Sequence, residues 1–303
     1  MELYKKFRPD KLEDMIGNEA SIESLWKAIH NDNLAHTILF SGPPGCGKTT
    51  LARICANLLG SEEQDISEIN ASHKQNRGID GANEIISTLN YKSLTGNKRI
   101  FIIDECDKTT PEWQSAMKKP LEDTPKHVYF FLCTTKPEKL IKDIHTRSTQ
   151  IQVQRIANRQ LSGYMKEIAT KEGFVLDRAI AKKIAEVSDG SVRKALVFLD
   201  QVLQVAPEKQ EALLKAITFE ESAEIIELAR ALLNTASWKT IAGLLKNIKD
   251  EPESVRYMVL SYMDTVLLNS GNVRAAEIIM GFAEPFYASL NAGLHLACFE
   301  VSS

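Results

Sequence analysis

The sequence predicts an α/β fold: a parallel sheet of five strands with covering helices, followed by helices alone. Three observations point there. Short apolar runs alternate with helical patterns through the first half, a glycine-rich loop joins one such run to a helix, and strand signals stop after Gln154.

Taken in order, Ile22, Leu25, Trp26 and Ile29 fall at i, i+3, i+4 and i+7, one face of a first helix. His36 to Phe40 reads as a strand, and after a Gly/Pro turn Leu51, Ile54, Cys55 and Leu58 mark the apolar face of a second helix. Further strands are expected at Ile66 to Asn70, Arg99 to Asp104, Val128 to Thr134 and Ile151 to Val153. The third and fourth strands are rich enough in β-formers to be buried on both faces. Beyond Gln154, three helices are marked by Leu161, Met165, Ile168 and Ala169, by Ile180, Ile184 and Val187, and by Val192, Ala195, Leu196, Leu199 and Val202. A polar break at Ala206 to Glu211, containing Pro207, leads into more helices. Their faces are Ile225, Leu228, Ala229 and Leu232; Ile241, Leu244, Leu245 and Ile248; Val255, Val259, Tyr262 and Val266; and Ala275, Ile278, Ile279 and Phe282. The expected division is a sheet domain over 1–154, a small three-helix domain over 155–207 and a helical domain over 208–303.

Composition narrows the class. With 303 residues, 44% hydrophobic and 25% charged, the chain is neither disordered throughout, collagen-like nor a coiled-coil rod. Its 37 Lys and Arg against 40 Asp and Glu give a net charge of -3, so contact with nucleic acid must come from local placement of cations. Five cysteines without a C-x-x-C pair or a secretory signal fit a reducing cytoplasm and argue against structural zinc. The longest apolar runs, such as Val128 to Cys133, fall far short of the roughly twenty residues of a membrane helix.

Chemistry concentrates in Ser41-Gly42-Pro43-Pro44-Gly45-Cys46-Gly47-Lys48-Thr49-Thr50, a G-x-x-x-x-G-K-T run between a strand and a helix. Glycines let backbone N–H groups curl round a β-phosphate, and the helix that follows offers its positive end. Lys48 is placed to bridge β- and γ-phosphates, and the Thr49 hydroxyl to ligate Mg²⁺. Ile100 to Glu105 is a buried strand ending in two carboxylates, the Walker B pattern. Asp104 is expected to hold Mg²⁺ through its water shell, and Glu105 to orient and deprotonate the attacking water. ATP and Mg²⁺ are thus the expected ligands.

Several segments together resemble one family. Phe7 to Asn18 resembles the opening of replication clamp-loader subunits, and Glu68-Ile69-Asn70-Ala71-Ser72 with Arg77-Gly78-Ile79-Asp80 resembles the replication factor C small subunits. Asp104 to Lys108, followed by Gln114 to Met117, fits the same group; Leu121 to Pro125 and Cys133 to Leu140 are closer to the bacterial gamma/tau subunit. The resemblance runs from residue 2 to about 203 and implies a AAA+ P-loop ATPase domain with a lid and a collar.

That resemblance also implies roles. Tyr4, Arg8, Ile16 and Gly17 would line the adenine pocket, Thr135 would be the polar sensor of the γ-phosphate, and Arg193 the lid cation that registers nucleotide in cis. Asn70 would restrain Glu105, its alternative being ordinary turn chemistry. Arg147, between Thr146 and Ser148 that both depart from the family's pattern, would be an arginine finger for the neighbouring subunit's site. Arg77, Ile79, Lys108 and Thr110 lie at helix starts that track one DNA strand's phosphates in the family; Thr110 and Pro111 also have the residue types of an N-cap and first helical position. Gln114 would link subunit contacts to the catalytic strand, or be a solvated helix position. Pro120 is awkward in the same helix and is expected to end or kink it.

The expected function is the ATPase subunit of a replication clamp loader, in which ATP binding and hydrolysis open a sliding clamp and load it on primer-template DNA. Its partners would be that DNA, contacted through its backbone, the ring-shaped clamp and other loader subunits in a pentameric ring, in the cytoplasm of its own or a host cell, with no membrane. The alternatives are a non-hydrolysing scaffold subunit and a branch-migration or initiator AAA+ protein; the last calls for a winged-helix domain after the lid.

Overall fold

Five strands form one parallel sheet in the order β2-β3-β4-β1-β5, with β1 Thr37–Ser41, β2 Ile66–Asn70, β3 Arg99–Asp104, β4 Val128–Thr134 and β5 Thr149–Gln152. The computed structural model describes residues 2–92, 98–221, 223–248, 250, 252–286 and 289–302. Among them β5 starts two residues earlier than the apolar pattern implies. It is an edge strand, and its polar Thr149 and Gln150, both exposed, pair with Ile38 and Leu39 of β1.

Period-two alternation sends neighbouring strand residues to opposite faces of the sheet. Ile38 and Phe40 of β1, Ile100 and Ile102 of β3 and Phe131 and Cys133 of β4 pack in one core with Leu25, Leu51 and Ile54. Leu39, Phe101, Ile103, Phe130 and Leu132 pack in the other with Ile85, Trp113, Met117 and Ile144. All seven residues of β4 are buried, as expected for a central strand.

In chain order the helices of this part are α1 Leu3–Lys6, α2 Glu19–His30, α3 Lys48–Leu58, α4 Lys74–Arg77, α5 Ile79–Thr88, α6 Pro111–Glu122 and α7 Lys142–Arg147. Then come α8 Asn158–Lys171, α9 Arg178–Val187 and α10 Val192–Leu203. Several starts are fixed by side-chain caps: Thr110 Oγ1 accepts from Trp113 N, Asp177 from Ala179 N and Ile180 N, and Ser191 from Lys194 N. Two expected face residues lie outside the cores. Trp26 is 44% exposed and stacks on His30 at 3.9 Å, because Leu25 takes the buried position beside it; Leu58, in the last turn of α3, is also exposed.

The chain divides into two compact units, Met1–Gln210 and Glu211–Ser303, so the sheet and the three helices α8 to α10 share the first. Helix α11 Pro207–Glu221 crosses the division; α12 Ala223–Leu233, α13 Trp238–Asn247, α14 Pro252–Ser270, α15 Val273–Gly281 and α16 Leu290–Ser302 follow. Ile225, Leu228, Ile241, Val259, Met263, Ile278, Phe282 and Cys298 make a core internal to the second unit. Among the described residues, none after 207 is in a strand.

Candidate functional site

The parallel sheet aligns its strand tips, and the site is built at their C-terminal ends. Ser41 pairs with Thr134, and Asn70 with Asp104, so β1, β4 and β3 deliver their last residues side by side. Leaving β1, the loop turns back with Gly42 N donating to Thr134 O at 3.3 Å. A Cβ on Gly42 would stand 2.0 Å from Val153 O, and one on Gly45, whose φ is +74°, would stand 2.1 Å from Ser191 Oγ. Only glycine fits where the loop passes between the end of β5 and the start of α10.

Lys48 opens α3, and its Nζ donates to Gly42 O at 2.8 Å and Pro43 O at 2.7 Å. Burial lowers its pKa below the ordinary lysine value. Thr49 Oγ1 donates to Asp104 Oδ2 at 3.0 Å, spanning the β4 strand between them, while Asp104 Oδ1 accepts from Glu105 N at 3.0 Å. That bond holds Glu105 in the left-handed region at φ 52°, exposed beside the loop. Arg8 Nε donates to Thr50 Oγ1 at 3.1 Å. Burial first, then the Arg53 charge and, further down, that of Arg193, lower the Arg8 pKa, the mark of cations gathered at one place. Arg193 reaches in from α10: its guanidinium lies 5.6 Å from the Tyr4 ring centre, and its backbone N–H donates to Gly45 O at 3.4 Å.

These groups line one cleft of about 440 Å³. It gathers Tyr4, Arg8, Ile16, Pro44, Gly45, Cys46, Gly47, Lys48, Thr49, Thr50, Asp104, Glu105, Thr135 and Arg193. Gly42 and Pro43 lie outside its lining but accept from Lys48 Nζ through their carbonyls, and Gly17 is not in the lining either, its α-carbon lying close to the Ile156 side chain. Met15, Tyr164 and Leu196 also line it, although the sequence does not single them out as site residues. Tyr164 and Leu196 sit on α8 and α10, where an apolar periodic position reads as core. Cys46 is buried, with its thiol directed at Pro44 O and Gly190 O.

Among the described residues no group of three or more His, Cys, Asp or Glu side chains is arranged to hold a metal. The Thr49 hydroxyl and Asp104 carboxylate fit Mg²⁺, which keeps several waters and takes one or two protein ligands beside phosphate oxygens.

Thr134, just before the expected sensor Thr135, is buried; its hydroxyl donates to Asp107 Oδ1 at 2.7 Å and accepts from Lys136 N at 2.9 Å. This clamps the turn that carries Thr135. Gln114 is 3% exposed, not solvated: Nε2 donates to Thr109 O and Oε1 accepts from Ile141 N. The Thr134–Asp107 and Gln114–Ile141 links join segments distant in sequence, which a helix pattern does not reveal. Asn70 uses its amide oxygen locally, accepting from Ser72 N at 2.7 Å. Helix α6 continues past Pro120 to Glu122, so the proline does not end it.

Arg147 lies elsewhere. It ends α7, just before β5, and β5 runs parallel to β1, so Arg147 stands at the opposite end of the sheet from the loop after β1. Arg77, Ile79 and Lys108 are exposed; Arg77 is the last residue of α4, two before the start of α5, and Thr110 N donates to Arg77 O at 2.9 Å, which brings that α4–α5 junction to the start of α6.

A family model described as DNA polymerase III, delta subunit, matches residues 17–157. DNA polymerase III subunit tau of Bacillus subtilis is 28% identical over 291 residues, covering 88% of this chain and 51% of that protein. Replication factor C subunit 4 of Encephalitozoon cuniculi is 29% identical over 243 residues, covering 75% and 78%. The chain spans about half the length of the Bacillus relative. Among solved structures, the RuvB Holliday junction branch migration motor of Thermotoga maritima superposes with a TM-score of 0.59 at 20% identity, covering 79% of this chain and 85% of that one, a likeness of fold.

Proposed function

We propose that the chain is a AAA+ protein of the clamp-loader group, an ATP-hydrolysing subunit that loads a ring-shaped sliding clamp on primer-template DNA; the match to the DNA polymerase III delta-subunit model and the likeness to subunit tau and replication factor C subunit 4 support this reading. The carrying observation is the convergence of Lys48, the Thr49–Asp104 pair, Glu105 and the lid's Arg193 on one cleft. A scaffold subunit would have no need of the complete set. For the branch-migration alternative, the likeness to RuvB is one of fold, and the described residues after 207 carry the helices of a collar and no strand.

In this reading the loop N–H groups and Lys48 bind the phosphates, Lys48 exchanging its two carbonyl partners for phosphate oxygens and recovering the cost of its burial. Tyr4, Arg8, Ile16 and Gly17 enclose the base between sheet and lid. Mg²⁺, held by Thr49 and Asp104, supplies charge neutralisation at the β- and γ-phosphates. Glu105 accepts the proton of the attacking water, Thr135 reads the γ-phosphate, and Arg193 draws the lid down on it. Arg147 completes a neighbouring subunit's site, since its own cleft lies at the far end of the sheet. Hydrolysis therefore depends on assembly into a ring, proposed as pentameric and joined through the collar, in the cytoplasm. The α4–α5 junction with Arg77 and Ile79, and the loop and start of α6 with Lys108 and Thr110, track DNA phosphates without reading sequence.

Replacing Glu105→Gln is expected to leave ATP binding intact and to lower turnover by about 10²–10⁴-fold. Nucleotide binding by equilibrium titration and phosphate release with primed DNA measure the two. Unaltered turnover in this variant would remove the assignment.

A further inference from the structure

Three side chains on one face of α6, each four residues beyond the last, meet α7 and the residue before it. Gln114 Oε1 accepts from Ile141 N at 2.8 Å, and Lys118 Nζ pairs with Asp143 Oδ2 at 2.8 Å. Glu122 Oε2 accepts from Arg147 Nε at 3.0 Å and Nη2 at 2.7 Å. The remaining guanidinium nitrogen, Nη1, donates to the Asp143 carbonyl at 3.2 Å and to its Oδ1 at 2.8 Å. All three nitrogens of Arg147 are thus engaged within its own chain, and two cations stand against two carboxylates.

An arginine stabilises a phosphoryl group by presenting two parallel N–H donors and a net positive charge. Arg147 offers neither while Glu122 and Asp143 hold it. We propose that these two carboxylates park Arg147 against its own subunit, and that Glu122 is a positioning residue controlling when Arg147 can reach a phosphate in a neighbouring subunit. The inference rests on the reading of Arg147 as acting in trans. The parking is reversible by its exposure: the Arg147 side chain is 25% accessible and Glu122 58%, and ion pairs of this kind are individually weak, so a polyphosphate can displace them. Pro120 lies two residues before Glu122 and cannot donate to the carbonyl of Ala116, which leaves the last turn of α6 with one helical bond fewer.

The test uses the full chain carrying Glu122→Gln or, separately, Asp143→Asn, with Arg147→Ala and the Glu122→Gln/Arg147→Ala double variant as references. Reaction of Arg147 with phenylglyoxal, followed by peptide mass spectrometry, reads its freedom directly. ATP turnover with primer-template DNA at limiting subunit concentration reads the consequence. Each carboxylate variant is expected to speed modification of Arg147 about threefold to tenfold. Turnover should rise by a similar factor in Glu122→Gln and stay at the Arg147→Ala level in the double variant. An unchanged modification rate overturns the parked state, and faster modification with flat or lower turnover overturns its control of catalysis. If Arg147→Ala itself leaves turnover intact, the trans role fails, an outcome separate from the other two.

Discussion

At the residue scale the phosphate loop shows how a single missing atom couples two parts of the site. Gly45 has no Cβ, so its α-carbon lies directly against Ser191, the residue that caps α10, and its carbonyl accepts from the N–H of Arg193. A methyl group there would meet Ser191 Oγ at 2.1 Å and would also require an L-residue to hold φ +74°. Gly45→Ala is therefore expected to cost about 1–3 kcal/mol in strain and to push the start of α10, with Arg193, away from the loop. Thermal unfolding should report the strain, and a loss of ATP affinity beyond that of Arg193→Ala would show that the loop itself is displaced. Equal stability and equal affinity to the parent would sink the argument. The glycine pattern announces such a loop in the sequence. What it cannot announce is the partner, because Ser191 lies far along the chain. Asp107 and Gln114 are hidden for the same reason: each binds backbone or hydroxyl groups that only the folded chain brings near.

At the scale of elements, α6 is tied down both at its start and along one face. Its start is fixed by Thr110, whose hydroxyl accepts from Trp113 N, and by Pro111, whose missing N–H costs nothing in the first turn. The Thr110 backbone is bonded to Arg77 in turn, so the proposed DNA surface and the helix start are one structure. Replacing Thr110→Ala removes the cap at a cost of about 1 kcal/mol. A modest fall in denaturation midpoint is expected, together with weaker stimulation of turnover by primed DNA and a smaller salt dependence of that stimulation. Stimulation that keeps its full salt dependence would count against the phosphate contact while leaving the cap intact. The strands and most helices are legible because hydrophobic period and burial agree along them, β4 most of all. Agreement fails where an edge or an end intervenes: β5 is polar because one side has no neighbouring strand, and Trp26 stands beside, not within, the buried stripe of α2. The α6–α7 ladder is illegible as a ladder, since its rungs join residues up to 27 apart and each looks alone like a solvated charge or amide.

At the scale of the whole molecule, a net charge of -3 is an average that conceals placement. Lys48, Arg8, Arg53 and Arg193 line the nucleotide cleft, whereas Arg77 and Lys108 are exposed at the α4–α5 junction and before the start of α6. Two compact units with separate cores also imply two separate stabilities. Every residue proposed to touch nucleotide belongs to Met1–Gln210, so ATP with Mg²⁺ should stabilise that unit by mass action and leave Glu211–Ser303 as it was. At a ligand concentration of about 100 times Kd the gain is about 2.7 kcal/mol. For a unit of this size that corresponds to a rise of about 5–10 °C in midpoint. Scanning calorimetry at a protein concentration too low for assembly should therefore resolve two transitions, of which one moves with ATP and the other does not. In Lys48→Ala neither should move. Two transitions shifting together would mean that nucleotide binding also stabilises the second unit, and a shift that survives Lys48→Ala would place nucleotide binding somewhere other than this loop.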